Sequence, residues 1–231
     1  MYEYYHLAPV ILTDSLFFQY VPTCRYTGTF AQRRSAYTLA EQQMIQHLRT
    51  PLIPTTITGT FIWPVPPEPI LLPHSHLRSI DRIVVTSLND GCTCDLTENE
   101  ACAVIRDGFG LVDARVTAYA LTAGCGCASA AGYYYQAIIT WTAGLPTGTS
   151  AQDPGLHQAL AMIAAINLNE VVDPGSNEGG PGDPGVESWG ALGYTEKRRA
   201  MKSYPFGASP RANYAARLVR HLKKIRPLRF S

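Results

Sequence analysis

Apolar residues along this chain recur with two different periods, and the two periods occupy different stretches. From Thr38 the spacing is helical: Leu39, Met44, Ile45 and Leu48 fall on one stripe. Thr38-Leu39-Ala40-Glu41 reads as a capping box, the Thr38 oxygen taking the third helical amide and Glu41 reaching back to the cap. Pro51 closes that helix. Residues 52–88 then turn β-like. Ile57 to Trp63 alternates apolar and polar, and Ile70–Leu72 and Ile80–Val85 are apolar runs bounded by Pro73 and by the turn signal Asn89-Asp90-Gly91. Further strands are expected at 103–105, 111–112 and 133–141, the last stopped by Gly144-Leu145-Pro146.

Helical spacing returns at Asp153-Pro154, a capping residue followed by proline at the first helical position. Leu156, Leu160, Ile163, Ala164, Leu168 and Val171 carry the pattern to Asp173-Pro174-Gly175. The glycine- and proline-rich stretch 173–185 has no core-forming power, and a short sheet or turn is expected at 186–194. Ser209-Pro210 opens a third helix, with Tyr214, Leu218, Leu222 and Ile225 on one stripe and Pro227 as its stop. Residues 1–37 read as an arm, rich in aromatics and broken by Pro9 and Pro22, that must bury against a neighbouring subunit or the chain's own core. The segregated elements give an α+β class, divided into the arm 1–37, a core 38–208 and a basic C-terminal helix and tail 209–231.

Composition narrows the options. Of 231 residues 46% are hydrophobic, which excludes global disorder. The longest apolar run, Ala159–Ile166, is far below the ~20 residues of a membrane span, so no membrane partner is expected. The opening Met1-Tyr2-Glu3-Tyr4-Tyr5 lacks a basic and apolar leader, so export by a cleaved signal is not expected. Only 16% of residues are charged, against about 25% in soluble domains. Either other subunits cover much of the surface, or the surface is neutral and rich in threonine and glycine.

The net charge of +1 conceals a split. Residues 1–195 hold eight arginines, no lysine and seventeen acidic residues, a formal charge of −9. Residues 196–231 hold eleven basic residues and one glutamate, a charge of +10. Such a tail meets nucleic acid, an acidic protein surface or the acidic body of a neighbouring copy.

Candidate chemistry is sparse. Cys92-x-Cys94 and Cys125-x-Cys127, with Cys24 and Cys102 apart, allow a zinc site, disulfides or plain thiols. The Cys-x-Cys spacing is tighter than that of the usual structural zinc knuckle. His74 and His76 would share one face of a strand, which permits a metal or catalysis, although exposed loop histidines are the favoured reading. Gly124-x-Gly126 and Gly179-Gly180-x-Gly182 do not sit in the strand-to-helix context of a phosphate loop. No catalytic residue, metal site or cofactor is assigned.

Several segments together resemble the head–tail connector (adaptor) proteins of tailed bacteriophages. They are Leu39–Pro51, Asp107-Gly108-Phe109-Gly110, Ile138 to Pro146 leading into Asp153-Pro154, Gly185-Val186-Glu187-Ser188, Gly193-Tyr194-Thr195, and Asn213–Leu218 with the basic C-terminus. The resemblance spans about residues 38–231; the aromatic arm and the cysteine loops depart from it. It implies a helical bundle of about three main helices with an inserted small antiparallel β region. It also implies a ring of about a dozen copies docked on the portal protein, joined to the next neck or tail protein, and passing packaged double-stranded DNA through its lumen. Such a protein works in the virion neck after assembly in the host cytoplasm. The residues expected to dock on the portal are Tyr214, Arg217, Leu218, Arg220, Lys223, Lys224, Arg226, Leu228, Arg229 and Phe230. The rival reading is a sequence-nonspecific nucleic-acid-binding protein that uses the same tail.

Overall fold

Strand alternation in the middle of the chain builds two antiparallel sheets, seen in a computed structural model that describes residues 9–21, 28–63, 69–88, 91–97, 103–112, 135–172, 206 and 210–224. Two compact units result, one built on Arg49–Thr147 together with Met1–Tyr4 and Lys224–Ser231, the other on Tyr5–Leu48 together with Gly148–Lys223. The protein thus mixes helix and antiparallel sheet, the α+β class expected from the sequence.

In the first unit, β1 (Thr55–Trp63), β3 (Leu77–Ser87), β4 (Thr93–Asp95) and β7 (Tyr135–Ala143) form one sheet, in the order β1-β7-β3-β4. A second sheet runs β2-β6-β5, from β2 (Ile70–Leu71), β6 (Phe109–Val112) and β5 (Ala103–Arg106). The period of two sorts the faces. On β7, Tyr135, Ala137, Ile139, Trp141 and Ala143 point inward, and join Leu72, Val85 and Val112 in one core. The outward positions are largely threonine, and hydroxyls pair across the strands at Thr56–Thr142 (3.2 Å) and Thr58–Thr140 (3.0 Å). Asp107 and Gly108 join β5 to β6, both with positive φ (53° and 79°), as a two-residue hairpin turn requires. Gly144 ends β7 at φ 148°, where a Cβ would collide with the Ile53 carbonyl.

The second unit is helical: α1 (Asp14–Tyr20), α2 (Phe30–Leu48), α3 (Thr149–Gln152), α4 (Pro154–Val172) and α5 (Pro210–Leu218), then a 3-10 turn at Arg220–Leu222. The helix expected from Thr38 begins eight residues earlier. Its capping box is Thr29-Phe30-Ala31-Gln32: Gln32 Oε1 accepts the Thr29 amide at 2.7 Å, and Thr29 Oγ1 accepts the Gln32 amide at 3.3 Å. Thr38 lies mid-helix and donates its hydroxyl to the Arg34 carbonyl at 3.0 Å. Glu41 is buried and reaches across the unit instead. Its Oε2 accepts the Val10 amide at 2.7 Å, and its Oε1 accepts those of Ile11 and Leu12, both at 2.8 Å.

A second charged knot ties α1 to α2. Asp14 takes two hydrogen bonds from Arg33, at 3.0 and 2.7 Å, and one from the Tyr37 hydroxyl at 2.8 Å. The Arg33 bond, which outweighs burial, holds the Asp14 carboxyl below its usual range; burial and Asp14 push the Tyr37 phenol well up. Phe17 and Tyr37 bury here, their ring centroids 5.1 Å apart. These two aromatics therefore pack on the chain's own helices. α4 contacts α1, α2 and α5 and is apolar almost all round, with Ala159, Ala161, Ala164 and Ala165 buried beside Leu156, Leu160 and Ile163.

The Glu41 carboxylate predicts a steep ranking. Glu41→Ala strands three amides and is expected to cost about 2–4 kcal/mol. Thr29→Ala is expected to cost about 1 kcal/mol, and Thr38→Ala under about 0.5 kcal/mol. Urea titrations followed by circular dichroism check the order; a Thr38 effect equal to that of Glu41 would reinstate the capping box at 38.

Burial, aided by Lys223, pushes the His47 imidazole down to about 4 where it meets the Phe206 ring, and burial lowers that of His74 as well. Both groups are taken up neutral on folding, while the unfolded chain protonates them from the ordinary value of 6.5 downward. The stability that neutral His47 preserves is therefore full above pH 6.5 and is lost as pH falls toward 4, and His74 acts in the same direction. Melting temperatures across that range are expected to drop less steeply in His47→Phe than in the parent chain.

Candidate docking surface

α5 and the turn after it carry Arg211, Arg217, Arg220 and His221, and Lys223 and Lys224 follow directly. A helix does begin at Pro210, but α5 ends at Leu218 and tightens into the 3-10 turn, and Ser209 lies outside the described residues. The buried positions are Ala212, Ala215, Val219 and Leu222. Of the predicted stripe only Leu222 faces in; Tyr214 is 48% exposed, Leu218 is half-buried, and Ile225 lies outside the described residues. Helix proximity explains the rotation. A Cβ on Gly155, in the first turn of α4, would stand 3.2 Å from the Leu218 carbonyl oxygen. At that approach the alanines fit against α4 and a tyrosine does not, so the large side chain turns outward.

The outward side therefore carries Tyr214 with Arg211, Arg217, Arg220, His221 and Lys223, all exposed. Arg217 in the last turn of α5 also suits the negative end of the helix dipole. His221 donates to Asp153 Oδ2 at 2.7 Å. Burial works against the Asp153 carboxylate, but the bonds from His221 and from the Leu156 amide outweigh it and hold its pKa below the usual carboxylate range. In the β unit, exposed Lys224 donates to the Asp107 carbonyl at 3.0 Å. Of the ten residues expected to dock, Tyr214, Arg217, Leu218 and Arg220 share α5 and its following turn, and Lys223 comes next. Lys224 touches the β5–β6 turn, and Arg226, Leu228, Arg229 and Phe230 lie outside the described residues.

The other candidates separate. His74 is buried against the Trp141 ring, the centroids 5.8 Å apart, and its Nδ1 has no hydrogen-bond partner among the described residues. His76 sits in a turn before β3 with φ 53°, so the two histidines do not share a strand face. Cys92 and Cys94 are each in a disulfide, the second of the three options left open by the sequence. Cys24, Cys102, Cys125 and Cys127 lie outside the described residues, as do both glycine motifs. Among the described residues no group of three or more His, Cys, Asp or Glu is placed to hold a metal ion, and no helix is long and apolar enough to cross a membrane.

Sequence reasoning missed Asp153 as a partner of His221. The cap at Asp153-Pro154 is legible, but its second contact spans 68 positions. The outward turn of Tyr214 had one signal available, the pair Ala212 and Ala215 at helical spacing.

No protein-family model matches this chain, and no curated protein matches it. Among solved structures, a chain from the neck of an empty GTA particle, computed with C6 symmetry, is similar over 94% of this chain and 92% of that one, at 15% identity and a TM-score of 0.49. At that identity and score the likeness carries no argument about what this chain does.

Proposed function

We propose that the protein is a virion structural component, a head–tail connector that forms a homo-oligomeric ring, docks on the portal, meets the next neck or tail protein and extends the DNA channel. The observation that carries this reading is the outward set on α5 and its turn: an exposed tyrosine among arginines, on a chain whose body is strongly acidic. Aromatic and arginine side chains are the residue types that anchor protein interfaces. A basic face beside Tyr214 fits an acidic ring surface. The segments that resemble connector proteins give the partner, and the acidic body suits a lumen that passes DNA without gripping it. No catalytic step is proposed.

The same face fits a polyanion, and salt separates the two. Tyr214→Ala combined with Arg217→Ala is expected to weaken capture of the full-length chain by a purified portal ring by about thirtyfold, as for two interface anchors. Loss of 225–231 is expected to weaken it further. Undiminished capture by the double variant overturns the docking assignment. Binding to arbitrary DNA that falls by about 10³-fold or more between 50 and 200 mM salt, with no portal capture, favours the nucleic-acid reading.

A further inference from the structure

The N-terminus of α4 and the C-terminal basic segment meet at one carboxylate. Asp153 Oδ1 accepts the Leu156 amide at 3.0 Å and so caps α4. Its other oxygen, Oδ2, takes the hydrogen bond from His221 Nε2 at 2.7 Å. Two residues further on, Gly155 has no Cβ; one placed there would meet the Leu218 carbonyl oxygen at 3.2 Å and His221 Cε1 at 3.8 Å. The missing side chain is what lets the end of α5 lie against the α4 terminus. Val219 and Leu222 bury beneath, and the turn closes through the Leu222 amide on the Val219 carbonyl (3.0 Å) and the Lys223 amide on that of Arg220 (3.2 Å).

We infer that Asp153 is a positioning residue for the basic face. One of its oxygens sets the start of α4 and the other clasps the turn that presents Arg220 and Lys223, directly after the Arg217 end of α5. The orientation of those cations is thereby tied to the helix against which α5 packs. His221 turns back to the cap of α4, while Arg220 and Lys223, on either side of it and the buried Leu222, are left exposed. The clasp itself does not depend on what the face binds; its consequence for binding rests on the docking reading above.

The test compares Asp153→Ser, Asp153→Asn and His221→Ala in the full-length chain by amide hydrogen exchange at Leu222 and Lys223. Serine keeps a cap and loses the reach to His221; asparagine keeps two polar atoms and serves as the rescue. His221→Ala removes an exposed side chain and leaves the cap alone. Asp153→Ser and His221→Ala are each expected to speed exchange at the two amides by about two- to fivefold, the range of a partly exposed pair. Asp153→Asn is expected to lie between them and the parent, and the Leu156 amide to be unmoved in His221→Ala. The double variant Asp153→Ser with His221→Ala is expected to exchange no faster than either single one. Unchanged exchange in both single variants, or full additivity in the double, overturns the clasp. Faster exchange in a protein whose parent form the portal ring does not capture supports the clasp and overturns the docking reading.

Discussion

The small residues of α4 govern the helical unit. A helix that is apolar almost all round must be covered by several neighbours, and its alanines decide how near each comes. Close approach admits Ala212 and Ala215 of α5 and excludes Tyr214. The face left exposed is thus the remainder of a packing problem solved on the other side of the helix. A larger residue at any of the buried α4 alanines would push a neighbour away and change what the surface displays, at a site remote from that surface.

Charge does its structural work here at a few buried or half-buried points. Glu41 gathers three backbone amides that no helix or strand satisfies, and Asp14 and Arg33 tie α1 to α2 beside Tyr37. Each of these carboxylates meets partners from a distant part of the sequence. That is how a chain with a low charged fraction can still fix irregular segments: a carboxylate accepts several donors at once, where a neutral side chain accepts one or two.

Period-two alternation made β1, β3 and β7 legible, because a strand with one buried face must show it. The cap at Asp153-Pro154 was legible because cap and helix are neighbours in sequence. The start of α2 was misread for a related reason: Thr29 and Gln32 make a capping box as good as Thr38 and Glu41, and only the position of Val10 to Leu12 reveals that Glu41 is occupied elsewhere. The short β4 and α1 carry too few residues to show a period. On α5 the existence of a helix was legible and its buried face was not, since a hydrophobic stripe ranks a tyrosine above an alanine while close packing ranks them the other way. His221 and Asp153, 68 positions apart, leave no mark that a linear pattern can register.

The outward side of the larger sheet is clothed in threonine, with hydroxyls joined across β1 and β7, and its Arg82 and Asp95 side chains neutralise one another at 3.4 Å. Along the Thr56–Thr142 and Thr58–Thr140 pairs the affinity for water comes from dipoles rather than ions. Dipoles do not titrate, and no counterion cloud gathers over them to be displaced. Ions enter only on the β3 side of this strip, where Asp81 accepts from Thr142 and exposed Arg82 meets Asp95, so acid and brine act on that flank of the face first.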